Sequence, residues 1–427
     1  MECVGFDTRP VQPSAVELEP IDVHWQIEHW STQKIEQHLA GVNRVVVSPG
    51  VPLNLRILQV AEELGLPIVS DIDLFFEATT APVLGVTGTN GKSTVVSLVG
   101  HLLNGVGESC GVGGNIGHAA LDLLTRPQSR YVLELSSFQL ERSALLPFAA
   151  STVLNVSDDH IDHHGSLQNY QQAKLRIYGN AGCRVFNRQD TATKPDESGQ
   201  WVSFGLDAPN EENAWGLTQH LNASWIVCGD QPVVAVSELP LIGNHNVLNV
   251  MAALALASSV SEAHKLTASL ASFQSLEHRF QRIGLVDKVV YINDSKATNV
   301  GATLAALRGL GAGTRVVLIG GGDAKGADLS VLEGPLSDYA TGVVALGKDA
   351  EALLAVAQAA GVQQCRVSNM REAVAAAHQM AKDADMVLLS PACSSLDMYQ
   401  NFGERGREFA EAVRALDAKT MYQGCAS

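Results

Sequence analysis

The stretch Gly85-Val86-Thr87-Gly88-Thr89-Asn90-Gly91-Lys92-Ser93-Thr94 decides how this chain is read. It joins an apolar run, Val83–Thr87, to a segment of helical period at 92–103. Glycines in such a turn let backbone N–H groups face a triphosphate, and the helix N-terminus that follows adds positive potential. Lys92 is placed to neutralise outer phosphates, and the Ser93 hydroxyl stands where a phosphate-loop hydroxyl meets magnesium. The spacing departs from the standard phosphate loop, because Val86 occupies the position of its first Gly. A Gly-rich turn with no ligand is the competing reading, and the strand–loop–helix setting weighs against it.

Outward from this loop, short β-branched runs alternate with Ala- and Leu-rich segments of helical period, the pattern of parallel α/β layers. On the N-terminal side, strands are expected at 4–6, 44–48 and 67–70, with a helix at 53–64. On the C-terminal side, strands are expected at 131–135, 152–156 and 184–187, and an apolar helix at 248–258. The polar stretch 190–222 reads as turns or peripheral hairpins. A last block, with strands at 289–292, 315–319, 342–346 and 386–389, reads as an open doubly wound sheet whose ligands belong at the strands' carboxyl ends. With 427 residues, at roughly 150 per domain, three α/β domains are expected.

Composition narrows the function classes. Twenty-nine Lys and Arg against 45 Asp and Glu leave a net charge of −16, which argues against nucleic acid as the partner, since phosphate backbones select clustered cations. A 46% hydrophobic and 17% charged composition excludes a mainly disordered chain. The seven cysteines are scattered without a CxxC pair, so neither a disulfide framework nor a structural zinc site is expected. There is no basic segment leading into an apolar core at the start, and apolar runs are of strand length. A cytoplasmic protein without membrane insertion is the expectation.

Other strand ends carry candidate chemistry. In Leu133-Glu134-Leu135-Ser136-Ser137-Phe138-Gln139-Leu140-Glu141, Glu134 ends an apolar strand, where its carboxylate reads equally as a magnesium ligand or as a solvated charge. The run Asn155-Val156-Ser157-Asp158-Asp159-His160 carries the same pair of readings, and His163 and His164 read as surface residues. Lys174 alone reads as a solvated helix lysine, since an ammonium cannot ligate a metal. Asn293-Asp294-Ser295-Lys296-Ala297-Thr298-Asn299, Gly320-Gly321-Gly322-Asp323-Ala324-Lys325 and Ser390-Pro391-Ala392-Cys393-Ser394-Ser395-Leu396-Asp397 each follow a strand, as a binding crevice requires. Cys393 reads as a small buried thiol.

Taken together, these strings resemble the Mur ligase family, ATP-dependent amide-bond-forming enzymes of peptidoglycan precursor synthesis, from about residue 7 to residue 409. Gly113-Gly114-Asn115-Ile116-Gly117 and the runs at 133–141, 293–299 and 390–397 resemble those of the D-glutamate-adding members. The resemblance implies an α/β fold of three domains: a Rossmann-like UDP-substrate domain (1–70, incomplete), a central P-loop ATPase-like parallel sheet (71–275) and a C-terminal Rossmann-like doubly wound sheet (276–427). It implies ATP and two Mg2+ as cofactors, UDP-N-acetylmuramoyl-L-alanine and D-glutamate as substrates, and an acyl-phosphate intermediate. A monomer is compatible with this expectation.

The family pattern also implies site roles. Lys92, Glu134, His160 and Lys174 are the catalytic set. Gly88, Thr89, Asn90, Gly91, Lys92, Ser93 and Thr94 would hold phosphates, with Asn246, Asn249, Arg279 and Asp294 around adenosine and phosphates. Ser93 and Glu134 would bind one magnesium. His160 and Lys174 would join a second, the lysine carbamylated and therefore an oxygen-bearing anion. Asp7, Thr8, Arg9, Ser48, Gly50 and Asn115 match the UDP-substrate site; Thr298, Lys325, Ser395, Leu396 and Phe402 match the D-glutamate pocket. Family members place a further strand and Gly-rich turn before the strand ending in Asp-Thr-Arg, whereas here residues 4–6 lead at once into Asp7-Thr8-Arg9. A misassigned start codon is the expected explanation, with true truncation as the alternative.

The rival enzyme readings are a ligase adding another amino acid and a folylpolyglutamate synthetase. The Asp-Asn-Pro-Arg string of diamino-acid-adding members does not occur. A catalytically silent nucleotide-binding protein is the rival of another class, and it has no chemical need for Lys92, Glu134, His160 and Lys174 together.

Overall fold

The computed structural model describes residues 3–6, 23–26, 31–52, 54–195, 199–220, 222–311 and 313–424. The chain divides into two compact units, residues 1–77 with 142–144, and the remainder.

In the first unit, β1 (Cys3–Phe6) pairs in parallel with β2 (Val23–Gln26), and β3 (Val45–Val47) with β4 (Ile68–Ser70). Helices α1 (Thr32–Leu39) and α2 (Arg56–Glu63) bury Ile35, Leu39, Val60 and Ala61 in a small core. The α1 N-terminus is closed by Ser31, whose hydroxyl accepts from the Lys34 amide, satisfying an otherwise orphaned donor. Helix α3 (Asp71–Ala78) follows. Ser48 and Gly50 lie exposed on the turn after β3, while Asp7, Thr8 and Arg9 lie outside the described residues.

The second unit holds two sheets. The larger runs β13-β12-β11-β10-β9-β8-β5-β7-β6, built from β5 (Val83–Thr87), β6 (Cys110–Gly114), β7 (Arg130–Glu134), β8 (Ala150–Val153), β9 (Cys183–Asn187), β10 (Trp201–Phe204), β11 (Trp215–His220), β12 (Ala223–Cys228) and β13 (Gln231–Ala235). Pairing is parallel from β6 through β11 and antiparallel for the last two strands. Every residue of β5 is buried, as expected of a central parallel strand covered on both faces. Helix α4 (Lys92–Gly105) packs against the later helix Asn244–Ser258 over a core that includes Val99, Leu102, Leu103 and Leu254. Each such fully buried side chain stabilises by about 1.5–3 kcal/mol.

The smaller sheet runs β14-β15-β19-β16-β17-β18, from β14 (Gln281–Val286), β15 (Val289–Asn293), β16 (Val316–Gly321), β17 (Ala340–Leu346), β18 (Gln363–Arg366) and β19 (Met386–Leu389). It is parallel except at its β14 edge. Among the described residues, no helix is long and apolar enough to cross a membrane.

Two readings are corrected and one strand is added. The polar stretch 190–222 is more than turns and peripheral hairpins: β11 does form a hairpin with β12 toward the sheet edge, but β10 joins β9 in parallel and both strands extend the main sheet, with Phe204 and Trp215 each 1% exposed. Two buried aromatics outweigh the surrounding turn formers. The strand expected at 152–156 runs instead over Ala150–Val153, because Asn155 and Ser157 are held by the phosphate-type loop. The antiparallel β14 edge strand was absent from the sequence reading.

Candidate active site

Site geometry begins at the loop between β5 and α4. Gly91 occupies the helix cap with φ 85°, a left-handed conformation that favours glycine. A Cβ there would stand 2.5 Å from Asn249 Oδ1, so the loop also needs glycine for close approach. Asn155 clamps it by a reciprocal pair: the Asn90 amide donates to Asn155 Oδ1 at 2.8 Å, and Asn155 Nδ2 donates to the Asn90 carbonyl at 3.0 Å. Thr89 Oγ1 accepts from the Ser157 amide and donates to the Ser157 carbonyl. Lys92 curls back, its Nζ donating to the Gly88 and Thr89 carbonyls, both at 2.9 Å. Burial holds the Lys92 ammonium below the usual lysine range; Glu134 opposes that shift and Arg279 adds to it.

From the first turn of α4, Ser93 Oγ donates to Glu134 Oε2 at 2.6 Å and accepts from Arg279 Nη2 at 2.6 Å. Glu134, 4% exposed at the end of β7, also accepts from Asn115 Nδ2 at 3.2 Å on its other oxygen. The relay Arg279–Ser93–Glu134–Asn115 therefore joins the ends of β6 and β7, the start of α4 and the loop that leads into β14. The Ser93 hydroxyl and the Glu134 carboxylate, side by side, are hard oxygen ligands of the kind that Mg2+ takes.

Lys174 is not the solvated residue its helix alone suggests. It is 1% exposed on α7 (Leu167–Leu175), with Nζ donating to the Gly88 carbonyl at 2.9 Å and lying 4.3 Å from the Tyr170 ring centroid. Burial first, and then the Lys92 ammonium, push its amine well below the usual lysine range. The His160 and Tyr170 ring centroids lie 6.3 Å apart, and His160 caps the short helix α6 (Ile161–His164) at φ 54°. His164 is also corrected: it is 7% exposed, with Nε2 3.0 Å from Ser137 Oγ, and not a surface residue.

Beside the loop lies a cavity of about 340 Å³ lined by Asn90, Gly91, Thr94, Asn246, Asn249, Arg279 and Asp294 among others. The residues matched to adenosine and phosphate contacts thus converge on one space. Asn249 Nδ2 donates to Asn246 Oδ1 at 3.1 Å, presenting the two amides as a fixed pair one helical turn apart. Asp294 accepts from the Phe280 amide and the Ser390 hydroxyl, yet burial pushes its carboxyl up to about 7.

Thr298, Lys325, Ser395, Leu396 and Phe402 lie after β15, β16 and β19, which are neighbours in the smaller sheet. Ser395 is buried, Lys325 and Leu396 are exposed, and Phe402 lies under the Lys296 ammonium at 4.1 Å. Cys393 is fully buried, and burial pushes its thiol up to about 12, as the inert reading expects. Arg405, which sequence reasoning missed, is 2% exposed and donates to Ser295 Oγ, the Ser295 carbonyl and the Cys393 carbonyl. It ties the loops after β15 and β19 together. Tyr170 was missed as well, with no signal, as for Arg405; Asn155 was read only as part of the polar, metal-capable run after the strand, and its part as the loop's clamp comes from the structure.

Comparison with known proteins identifies the family. Residues 86–257 match the Mur ligase middle domain, and 278–393 the Mur ligase glutamate ligase domain. The UDP-N-acetylmuramoylalanine--D-glutamate ligase of Shewanella oneidensis is 43% identical over 388 residues, 90% of this chain and 86% of that protein. The protein of the same name from Legionella pneumophila (strain Paris) is 40% identical over 423 residues, 97% of this chain and 94% of that one. The fold matches that of Thermotoga maritima MurF ligase in complex with ADP, with a TM-score of 0.62 at 16% identity, covering 90% of this chain and 97% of that one. UDP-N-acetylmuramate-alanine ligase MurC of the same organism gives 0.60 at 18%, covering 94% and 96%. Two matched domains around one relay of polar residues, and relatives aligned across most of their length, lead to one assignment: the chain belongs to the Mur ligase family.

Proposed function

We propose that this protein is an ATP-dependent ligase that adds D-glutamate to UDP-N-acetylmuramoyl-L-alanine in peptidoglycan precursor synthesis. The observation that supports it most is the Arg279–Ser93–Glu134 relay at the start of α4, beside the Lys92 loop and the cavity. A carboxylate is a poor electrophile, so ligation needs a leaving group and a preorganised set of charges around it. In this reading, a substrate carboxylate oxygen attacks the γ-phosphorus of ATP and ADP departs. The D-glutamate amine then attacks the acyl carbon, loses its proton, and phosphate leaves as the amide forms.

Residues of this chain take distinct parts. The 88–94 loop cradles phosphates, and Lys92 turns from the Gly88 and Thr89 carbonyls to the outer phosphates. Asn246, Asn249, Arg279 and Asp294 line the nucleotide's space. Ser93 and Glu134 would hold Mg2+, and His160 with Lys174 would hold a second. As an amine, Lys174 carries protons on Nζ and donates to Gly88, so it fits a metal only as the carbamate; its depressed basicity favours the neutral amine that adds to CO2. When bound, Mg2+ supplies charge neutralisation for the phosphoryl oxygens. Asn115 contacts the muramoyl nucleotide, and Thr298, Lys325, Ser395, Leu396 and Phe402 bind D-glutamate. The three-part division at residues 70 and 275 belongs to this reading, as does a cytoplasmic, monomeric enzyme with no nucleic-acid partner.

The test is phosphate release with UDP-N-acetylmuramoyl-L-alanine, ATP and Mg2+ against a panel of amino acids. Release with D-glutamate alone is expected. Equal turnover with L-glutamate or a diamino acid refutes the assignment.

A further inference from the structure

Beyond the relay, Glu141, His163 and His164 converge. Glu141 lies in the last turn of α5 (Ser137–Arg142), and the two histidines end α6. One ligand-capable atom from each lies within 4.8 Å of the others. His163 Nε2 is 3.0 Å from Glu141 Oε2, and the two imidazole rings stand edge to face with centroids 4.7 Å apart. Phe138 packs against both rings, at 4.4 and 5.5 Å. Ser137 Oγ holds the buried His164 ring from α5.

We propose that Glu141, His163 and His164 bind one divalent transition-metal ion of the Zn2+ type, with water completing the shell. Two imidazole nitrogens and one carboxylate oxygen suit Zn2+, whereas Mg2+ prefers oxygen throughout. Ligand bonds of about 2.0–2.1 Å in a tetrahedron set ligand–ligand edges of about 3.3 Å. The His163–Glu141 edge is already 3.0 Å, and no edge of the trio exceeds 4.8 Å. Closing the site therefore takes a movement of at most about 1.5 Å, within reach of side-chain rotation. A half-exposed His–Glu ion pair alone is worth little and gives no reason for a second imidazole beside it. The hydroxyl of Ser137 supplies the outer hydrogen bond that metal-bound histidines ordinarily make.

Such an ion would tie α6 to α5. Because α6 starts immediately after His160, occupancy would restrict the segment that presents that histidine without touching the reacting atoms. The proposal does not rest on the ligase reading, since its test reads metal binding and not turnover.

The test titrates the chelator-stripped full chain, in millimolar Mg2+, with Zn2+ by calorimetry and with Co2+ by visible absorption. One Zn2+ should bind at micromolar concentration or below, and Co2+ should show the intense bands of a four- or five-coordinate ion. His163→Gln and Glu141→Gln should each weaken binding at least ~10-fold. Their unfolding midpoints should stay near that of the unsubstituted chain, since both residues sit near the surface. Glu134→Gln should leave Zn2+ binding intact. Zn2+ affinity unchanged in His163→Gln, or lost in Glu134→Gln, overturns the proposal.

Discussion

Replacing Lys92 by Met separates a catalytic cation from a structural one, because the two roles predict opposite stability changes. In the free protein, Nζ makes two hydrogen bonds to carbonyls at 2.9 Å, each worth about 1.5–3 kcal/mol for a charged donor. Against them stands the cost of taking an ammonium out of water, several kcal/mol per ion. The lowered basicity of Lys92 states which effect wins: the folded surroundings disfavour the charge on balance. Lys92→Met keeps the stem and drops the charge, so its unfolding midpoint should equal or exceed that of the unsubstituted chain. Turnover should nevertheless fall at least ~100-fold, about 2.7 kcal/mol of lost stabilisation on the way to the acyl phosphate. Lys92→Arg should also fail, because a planar fork does not reproduce a compact ammonium in a tight loop. Calorimetric unfolding and single-turnover phosphate release on the same samples check both halves. A variant that loses several kcal/mol of stability, or keeps near-normal turnover, refutes the reasoning.

Two further outcomes follow from the same geometry. Lys174→Ala should be nearly inactive and partly recovered by acetate or formate, which supplies the lost anionic oxygen, whereas Lys92→Ala should not recover; high turnover of Lys174→Ala at limiting magnesium would decide against a carbamate. Asp294 is pushed from an ordinary 3.8 up to about 7. Between about pH 4 and 7 the native state therefore holds a proton the unfolded chain lacks, and stability falls as pH rises through that window. Asp294→Asn should remove this decline, so its unfolding midpoint gains on the unsubstituted chain toward pH 7; a difference independent of pH contradicts it.

Much of this architecture was legible in the chain because its signals are local. The run Val83–Thr87 is largely apolar, and Gly88, Gly91 and Lys92 follow it directly before a segment of helical period. Phosphate-side residues are legible for the same reason: they occupy consecutive positions. Arg405 and Tyr170 were not, since their partners at Ser295, Cys393 and Lys174 depend on how distant segments pack. The strands β10 and β11 were hidden by polar neighbours, and it is the pairing of β10 onto β9 and of β11 onto β10, with Phe204 and Trp215 buried, that extends the sheet. Lys174 shows the limit most clearly: its helix has little amphipathic pattern to reveal a buried face, and its desolvation comes from the loop it meets across 86 residues of sequence.

The central claim is that the chain activates a carboxylate by phosphorylation before the amine attacks. UDP-N-acetylmuramoyl-L-alanine labelled with 18O in its terminal carboxylate, turned over with ATP and D-glutamate, tests it directly by mass spectrometry of the released phosphate. The account predicts one 18O atom in each phosphate, because the oxygen that attacks phosphorus leaves with it when the amide forms. Amide product accompanied by unlabelled phosphate would contradict it.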